Sequence, residues 1–325
     1  MWVESSAPSN IALIKYMGKT NAADNSPCNS SLSYTLDHLR TYVRLQKNDG
    51  LTQDQWAALK RDDLRPIELS EKGRAKFLNH FNFLKQEFAM TGFFEIESAN
   101  NFPSDCGLAS SASSYAALTV TAHKWALESK TISQPKTDSQ LAFLSKKGSG
   151  SSCRSLFSPW AMWSKFAVEP VELPYAHLKH QVVLCDESIK SVSSSDAHKQ
   201  VLTSDLFFNR PERAEERLVD LKLAFSRSDW ARAFQICWNE FWDMHVLFHT
   251  SKPPFMYMNS GSQMALTLLL KHWELNGDGP LVTMDAGSNI HLLYRPDQTE
   301  VYNSLRDLFA QSFSVWTDEG YIAKK

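Results

Sequence analysis

The feature that most constrains the fold is a Gly- and Ser-containing loop at 103–111, set between a predicted strand and a helix of small residues. The strand is predicted at 93–98 (FFEIES), which has strand-like composition. The helix is predicted at 111–127, with small residues such as Ala112 and Ala116 on one face. Because small side chains allow close packing, we expect this helix to lie beneath a sheet, in a mixed α and β architecture.

Residues 103–111 read PSDCGLASS, which suits either an anion site or an ordinary helix start. Gly107 lets the main chain approach a ligand closely, and the free N–H groups of the first helical turn point at any anion there. The hydroxyls of Ser110 and Ser111 could bind Mg²⁺ or donate to phosphate. The alternative is a simple N-cap by one of these serines. No lysine and no G-K-[S/T] follow the glycine, so this is not a Walker A loop.

A second Gly/Ser segment, KKGSGSSCRS, occupies residues 146–155. Its composition alone is typical of a flexible linker. Lys147 and Arg154 flank it closely, however, and main-chain amides, hydroxyls and an arginine fork together suit a phosphorylated ligand. The segment therefore predicts either a linker or a second anion site.

Charged side chains also follow predicted strands at two other places. Residues 7–19 (APSNIALIKYMGK) bring Lys15, Tyr16 and Lys19 to a strand end. Lysines there are usually solvated, but the apolar residues before Lys15 look buried. Asp285 precedes a tight Gly turn, where aspartate commonly forms the turn itself. As a catalytic group, it would have to project into a cleft near both anion sites.

The remaining pattern lacks the regular alternation of a doubly wound sheet. Residues 32–36 and 40–46 alternate in the way of paired strands, and 281–294 reads as two strands around a turn. Helices are predicted toward residue 88, at 211–226, from an N-cap at Asp229, at 259–275 and at 299–313. The aromatic stripe of the helix after Asp229 is interpreted as core, and the Ser-rich stretch 188–204 as a loop. We expect an α+β fold with a boundary near 188–200.

Composition and charge argue against several other classes of protein. A net charge of −2 argues against an extended nucleic-acid surface. Five widely spaced cysteines without C-x-x-C favour a reducing cytoplasm over disulfides or a structural zinc. The ten histidines show no metal-ligand spacing. No signal peptide is evident, and no apolar run approaches the ~20 residues that span a bilayer. We expect a soluble cytoplasmic protein with no membrane or nucleic-acid partner.

Together these segments resemble the diphosphomevalonate decarboxylase family of the GHMP kinase superfamily. The resemblance rests on APSNIALIKYMGK, PCNSSLS, NFPSDCGLASSASSYAAL and GSGSSCRSLF, and is supported by VSSS, TSDLF, PPFMYMN and MDAGSN. It implies an α+β GHMP kinase fold, with a ribosomal-S5-like N-terminal domain at 1–190 and a ferredoxin-like C-terminal domain at 191–325. The active site would lie between them. The resemblance also implies ATP, Mg²⁺ and a homodimer.

The resemblance further implies a reaction. ATP phosphorylates the tertiary 3-hydroxyl of (R)-5-diphosphomevalonate, and loss of phosphate and CO₂ gives isopentenyl diphosphate for isoprenoid biosynthesis. Asp285 matches the catalytic aspartate, and Lys15 the lysine beside it. The matched substrate-binding positions are Tyr16, Lys19, Ser149, Ser151 and Arg154. The matched nucleotide positions are Pro103, Gly107, Leu108, Ala109, Ser110 and Ser111, with Ser111 also the Mg²⁺ ligand. Beside Lys15, Asp285 should have a lowered pKa, so orientation and general-base catalysis both stay open.

The chain departs from the family pattern at three places. The usual K-Y-W-G-K-R-D reads KYMGKTN at 15–21, D-A-G-P-N reads DAGSN at 285–289, and 196–198 read Asp-Ala-His where members tend to have Gly-Met. Phosphoryl transfer is therefore better supported than the identity of its acceptor. The alternatives are a mevalonate 3-kinase, a phosphomevalonate decarboxylase, and a non-catalytic binding protein on this fold. Retention of Asp285, Lys15 and both serine loops argues against the last.

Overall fold

The computed structural model describes residues 1–103, 110–186, 188 and 190–324 of the 325-residue chain. The strands are β1 (Val3–Ile14), β2 (Lys19–Asn21), β3 (Ser26–Pro27), β4 (Ser31–Lys47), β5 (Gln55–Ala58), β6 (Arg65–Pro66), β7 (Phe94–Asn100), β8 (Trp160–Trp163), β9 (Val168–Pro170), β10 (Lys179–Leu184), β11 (Leu281–Thr283), β12 (Ile290–Tyr294), β13 (Ser314–Thr317) and β14 (Gly320–Ile322). The α-helices are α1 (Glu71–Glu87), α2 (Ser110–Glu128), α3 (Asp138–Ser145), α4 (Ser194–Gln200), α5 (Arg210–Ser226), α6 (Trp230–Thr250), α7 (Ser260–Asn276) and α8 (Thr299–Phe309). Short 3-10 helices cover Gly150–Leu156, Val201–Thr203 and Asp205–Phe207.

A first sheet of seven strands is built around the long strand β4. β1 runs antiparallel to β4, and β7 and β8 pair with opposite ends of the same strand. The predicted division of this region into two paired strands, 32–36 and 40–46, is therefore wrong. The register against β1 shifts between Pro8, which faces Arg40, and Ser9, which faces Leu36. Pro8 has no N–H to donate to the ladder, and the register shift beside it interrupts the regular pairing of β4. The sequence pattern of β4 is interrupted at the same place, which is why it predicted two strands.

Helix α2 packs across β1 and β4, which confirms the predicted small-residue helix beneath a sheet. Ala112, Ala116 and Ala122 on its buried face are fully inaccessible. The first turn is fixed to β4 because Ser113 Oγ lies 2.6 Å from Thr41 Oγ1. A larger residue at any of these alanines would force the helix away from the sheet, at a cost of about 1–3 kcal/mol. The sheet thus sets where the helix begins.

The second sheet is antiparallel, in the order β11-β12-β10-β13-β14. β10 belongs to it although it precedes residue 190, and the division of the chain at residue 190 stays a prediction. One hydrophobic core joins both sheets: Leu13 and Trp160 from the first pack in the same cluster as Val182 and Leu292 from the second. The two halves therefore share a core.

Helix α6 lies between the two sheets and contacts β1 and β11. It begins after Asp229, whose side chain accepts the N–H of Arg232, as the predicted N-cap requires. Trp230, Phe234 and Phe241 are buried, so the aromatic stripe is core, as predicted. The remaining predicted helices are also confirmed, as α1, α5, α7 and α8. In the part of the chain that the structure describes, every helix is too short or too polar to cross a membrane.

The Ser-rich stretch 188–204 contains helix α4, so the prediction of a loop is wrong there. Ser193 begins the helix by accepting the N–H of Asp196. Ala197 and Val201, four residues apart, are buried in one cluster with residues of α6. This buried stripe stabilises a helix that the polar composition did not suggest.

Candidate active site

A buried ion pair joins the ends of two strands from different sheets. Lys15 directly follows β1, and Asp285 lies two residues after β11. Lys15 Nζ donates to Asp285 Oδ1 at 2.7 Å, with the lysine side chain 2% exposed and the aspartate side chain 29% exposed. The lysine is thus enclosed, whereas part of the carboxylate faces outward. The catalytic role assigned to Asp285 from the sequence stays a prediction.

Burial and mutual contact shift the pKa values of both members of the pair. Burial alone would raise the pKa of Asp285, but the charge of Lys15, its hydrogen bond and the other nearby positive charges together outweigh this effect, and the net pKa is lowered, as predicted. Burial also lowers the pKa of Lys15, and Asp285 opposes that shift. An aspartate with a lowered pKa is a weak base but a strong hydrogen-bond acceptor, so the pair is better suited to orienting a hydroxyl group than to removing its proton beforehand.

Helix α6 positions both members of the pair through their main chains. The N–H of Lys15 donates to Glu240 Oε1 at 2.9 Å, and His245 Nε2 donates to the carbonyl oxygen of Asp285 at 3.0 Å. Burial lowers the pKa of His245 to about 3, so its ring is neutral with the hydrogen on Nε2. The sequence reasoning assigned Glu240 no role. An acidic residue at helical spacing among Cys237, Phe241 and other apolar positions was the available signal.

Arg154 is a buried cation that lacks a carboxylate partner among the described residues. Its Nη1 donates to Ser31 Oγ at 2.7 Å, and its Nε donates to Asn10 Oδ1 at 3.3 Å. These two neutral contacts orient the guanidinium without pairing its charge, which the carboxylate of Asp285 offsets only from beyond ion-pair distance. A buried charge is expensive unless it is paired, so the position favours binding of an anion.

The second Gly/Ser segment is not a flexible linker, because Gly150–Leu156 forms a 3-10 helix beside the pair. A side chain at Gly150 could not be accommodated, since an added Cβ would lie 2.6 Å from the ring of Tyr16. Ser149 Oγ lies 3.4 Å from Ser151 Oγ and 3.5 Å from Ser111 Oγ at the start of α2. The structure thus brings the two predicted serine segments together.

The first serine segment is only partly described. Ser111 is exposed at the start of α2, Ser110 is half-buried beside it, and Pro103 is half-buried before the loop. Gly107, Leu108 and Ala109 lie outside the described residues. Their assignment to nucleotide binding stays a prediction.

Tyr16 and Lys19 converge on one asparagine. The hydroxyl of Tyr16 donates to the carbonyl oxygen of Asn25 at 2.9 Å, and Lys19 Nζ donates to Asn25 Oδ1 at 2.7 Å. The ring of Tyr16 packs against the ring of His198 with the centroids 4.4 Å apart and the planes tilted by 45°. His198 is one of the three positions at 196–198 that depart from the family pattern. His198 Nδ1 also accepts the N–H of Gly18 at 3.1 Å. His198, from the second half of the chain, therefore holds the segment that contains Tyr16 and Gly18 in place.

Two further lysines near Lys19 were not found from the sequence. Burial lowers the pKa of Lys19 to about 8, and the charges of Lys76 and Lys199 lower it further in the same direction. Lys76 on α1 reaches Ser195 on α4 at 3.5 Å. Among the described residues, none of these three lysines has a carboxylate oxygen within 4.0 Å. Like charges held together without an ion-paired carboxylate favour a multiply charged anion.

The mixed sheets, the serine-rich helix start and the enclosed lysine–aspartate pair define the class, which is the GHMP kinase fold. The diphosphomevalonate decarboxylase-like N-terminal domain matches residues 7–168, and the mevalonate 5-diphosphate decarboxylase C-terminal domain matches residues 181–322. The chain belongs to the diphosphomevalonate decarboxylase family. The family and the fold predicted from the sequence are therefore confirmed.

Relatives from several organisms cover most of the chain. The diphosphomevalonate decarboxylase of Debaryomyces hansenii is 32% identical over 90% of this chain and 79% of its own length, and that of Saccharomyces cerevisiae is 30% identical over 89% and 76%. A crystal structure of a mevalonate diphosphate decarboxylase from Legionella pneumophila has a TM-score of 0.91 at 45% identity, over 97% of this chain and 100% of that chain. A structure of MDDEF in complex with MVAPP, AMPPCP and magnesium has a TM-score of 0.84 at 30% identity, over 96% and 94%.

Proposed function

We propose that the protein catalyses the ATP-dependent decarboxylation of (R)-5-diphosphomevalonate to isopentenyl diphosphate. The observation that carries this proposal is the Lys15–Asp285 pair, held at 2.7 Å near the unpaired guanidinium of Arg154. An enclosed carboxylate serves no purpose in simple anion binding, because it repels the ligand. The same carboxylate is useful to an enzyme that must orient a hydroxyl group, which argues against a non-catalytic binding protein.

The first step is transfer of a phosphoryl group from ATP to the tertiary 3-hydroxyl. Asp285 accepts the hydrogen bond of this hydroxyl and takes its proton as the new P–O bond forms, while the bond to ADP breaks. Lys15 supplies positive charge beside the transferred group. Phosphoryl transfer depends mainly on positioning and electrostatic stabilisation, so a fixed, charged pair is sufficient.

In the second step, the phosphate leaves the tertiary carbon with its bonding electrons. The bond between the neighbouring carbon and the carboxylate then breaks, its electron pair forms the double bond, and CO₂ departs. Arg154 holds the carboxylate through this step, with Ser149 and Ser151 beside it. The overall products are isopentenyl diphosphate, ADP, phosphate and CO₂.

The lysines around Lys19 support a diphosphate as the substrate's second anionic group. Lys19, Lys76 and Lys199 concentrate positive charge on the Tyr16 side of the site, and a free alcohol would not compensate it. The mevalonate 3-kinase and phosphomevalonate decarboxylase alternatives require less charge there. The diphosphate is therefore favoured over the free and singly phosphorylated acceptors.

ATP is proposed to bind where α2 begins, at Pro103, Gly107, Leu108, Ala109, Ser110 and Ser111. The related MDDEF complex contains AMPPCP and magnesium. Ser111 offers an exposed hydroxyl oxygen of the hard type that Mg²⁺ accepts. When bound, Mg²⁺ would neutralise charge on the nucleotide phosphates.

A homodimer and a cytoplasmic location complete the proposal. The homodimer is supported by the family resemblance, and light scattering coupled to gel filtration would show a mass twice that of the 36.9 kDa chain. The location is supported by four free cysteines, Cys28, Cys153, Cys185 and Cys237, among the described residues. Free thiols are typical of a reducing compartment.

The deciding experiment is incubation with ATP, Mg²⁺ and diphosphomevalonate, with ADP and CO₂ measured separately. We expect the two products in equal amounts. ADP without CO₂ would leave only a kinase. Turnover of mevalonate or phosphomevalonate that is faster than turnover of diphosphomevalonate would show that the proposed acceptor is wrong. Absence of ADP with all three compounds would contradict the proposal that the protein is an enzyme of this type.

A further inference from the structure

Three histidines and one aspartate meet at the junction of the two sheets, and the proposed reaction uses none of them. This histidine cluster consists of His38, His180, His291 and Asp318. His180 lies on β10 and His291 on β12. These two strands are paired, with Val182 of β10 opposite His291. Asp318 directly follows Thr317, which pairs with Gln181. His38 comes from β4 of the first sheet. The fold, rather than the sequence spacing, therefore assembles the cluster.

The side-chain atoms of the cluster are close enough to share a ligand. His38 Nε2 lies 3.0 Å from His180 Nδ1, and His180 Nε2 lies 3.0 Å from His291 Nδ1. Both carboxylate oxygens of Asp318 accept the main-chain N–H of His180 at 3.0 Å. One donor atom from each of His38, His180 and Asp318 lies within 4.8 Å of the other two.

We propose that His38, His180 and Asp318 bind a divalent transition metal, with zinc as the best match. Zinc takes imidazole nitrogen and carboxylate oxygen at about 2.0–2.2 Å in tetrahedral geometry, which separates two nitrogen ligands by about 3.3 Å. The two ring nitrogens, which share a hydrogen bond at 3.0 Å, must move apart by a few tenths of an ångström and turn so that both lone pairs point at the metal. Mg²⁺, which prefers oxygen ligands, does not suit two imidazoles.

The cluster also provides the support that metal-binding histidines require. If Nδ1 of His180 binds the metal, its hydrogen is on Nε2, which then donates to His291 Nδ1. A hydrogen-bond acceptor behind the ligand fixes the tautomer and the ring orientation. His291 thus positions His180 without binding the metal itself.

Burial and connectivity fit a metal that enters from solvent. His180 is buried, whereas the side chains of His38 and Asp318 are 21% and 32% exposed. This opening leaves a fourth coordination position for water. Because His38 belongs to the first sheet and the other two ligands to the second, the metal would join the two sheets. Binding to the folded state alone would raise the stability of the protein.

The test measures zinc retained by the full chain after chelator treatment, addition of zinc and gel filtration in excess Mg²⁺. We expect about one zinc per chain in the wild type, as a single three-ligand site requires. His38→Gln and Asp318→Asn should each lose it. His249→Gln removes an exposed imidazole at the end of α6 and serves as the matched control, which should retain it. Zinc should raise the unfolding temperature of the wild type and the control only.

Absence of retained zinc in the wild type would overturn the proposal and leave a plain hydrogen-bonded chain of histidines. Equal retention by His38→Gln and Asp318→Asn would place the metal elsewhere and overturn it too. If those variants fail to fold, the visible absorption spectrum of the wild type with added Co²⁺ tests the proposal instead. An intense visible absorption supports nitrogen coordination of low symmetry, and the weak spectrum of the hydrated ion contradicts it.

Discussion

Glu240 Oε1 accepts the main-chain N–H of Lys15 at 2.9 Å, across 225 positions of sequence. The carboxylate is fully buried, and Arg210 and Arg217 donate to it from α5. Its negative charge also raises the pKa of Lys15, against the stronger opposing effect of burial. Glu240 is therefore a positioning residue that fixes the place of the lysine and helps to keep it protonated.

Replacing Glu240 with glutamine should destabilise the protein, because Arg210 would become a buried cation with less compensation. We expect the free energy of unfolding to fall by about 3 kcal/mol or more, measured by urea denaturation. Asp220→Asn is the control, since it breaks an exposed pair with Arg232 between the same two helices. That change should cost less than about 1 kcal/mol. Similar losses in both variants would contradict the role given to Glu240.

Asp285→Asn should slow the release of both ADP and CO₂ strongly and equally while diphosphomevalonate still binds. The amide keeps the shape of the side chain but cannot take the proton of the hydroxyl group. We expect kcat to fall by roughly 10²–10⁴, the range of a lost acid–base contribution. Calorimetric titration with diphosphomevalonate provides the binding control. Full turnover by this variant would remove Asp285 from the mechanism.

The affinity for diphosphomevalonate should depend on pH through Lys19. Burial, reinforced by Lys76 and Lys199, lowers the pKa of Lys19 to about 8. The ammonium is present below this pH and is lost above it, so kcat/KM should fall as the pH rises through about 8. Lys19→Arg retains its charge and should move the fall to higher pH. An unchanged pH profile in this variant would assign the titration to another group.

Arg154→Ala should raise KM for diphosphomevalonate by roughly tenfold to a hundredfold, the range expected for a lost hydrogen bond to a charged group. Arg227→Ala, at an exposed position after α5, is the control and should leave KM unchanged. Because Arg154 is proposed to hold the carboxylate, the ratio of CO₂ to ADP should fall as well. Unchanged kinetics in Arg154→Ala would remove this arginine from the substrate site.

The parts of the site carried by short continuous motifs could be predicted from the sequence. Lys15, Arg154 and Asp285 each stand beside residues whose pattern marks a strand end, an anion loop or a tight turn. The structure brings Lys15 and Asp285 into contact. It also confirms helix α2, which follows the first loop. The nucleotide roles assigned to residues 107–109 stay a prediction.

The parts missed from the sequence depend on contacts between distant elements. Glu240 and Lys76 lie on helices. The only local mark of Glu240 is its place on the apolar face of α6, and that face does not show which residue it meets. The polar stretch before Ser204 forms α4 because its few apolar residues meet a partner on α6, which local composition does not report. Similarly, the histidines of the cluster are scattered through the chain and meet only when β4, β10 and β12 come together.

The ion pair between Lys15 and Asp285 spans 270 positions of the chain. A ribosome must therefore make most of the protein before this carboxylate exists. A nascent chain that ends after α6 already contains Glu240 but lacks Asp285, which forms the ion pair with the ammonium of Lys15. Burying that ammonium alone is costly, so the first half should complete its packing around Lys15 only once β11 and Asp285 have emerged. The proposed reaction centre and the finished core should thus form in the same late step of synthesis.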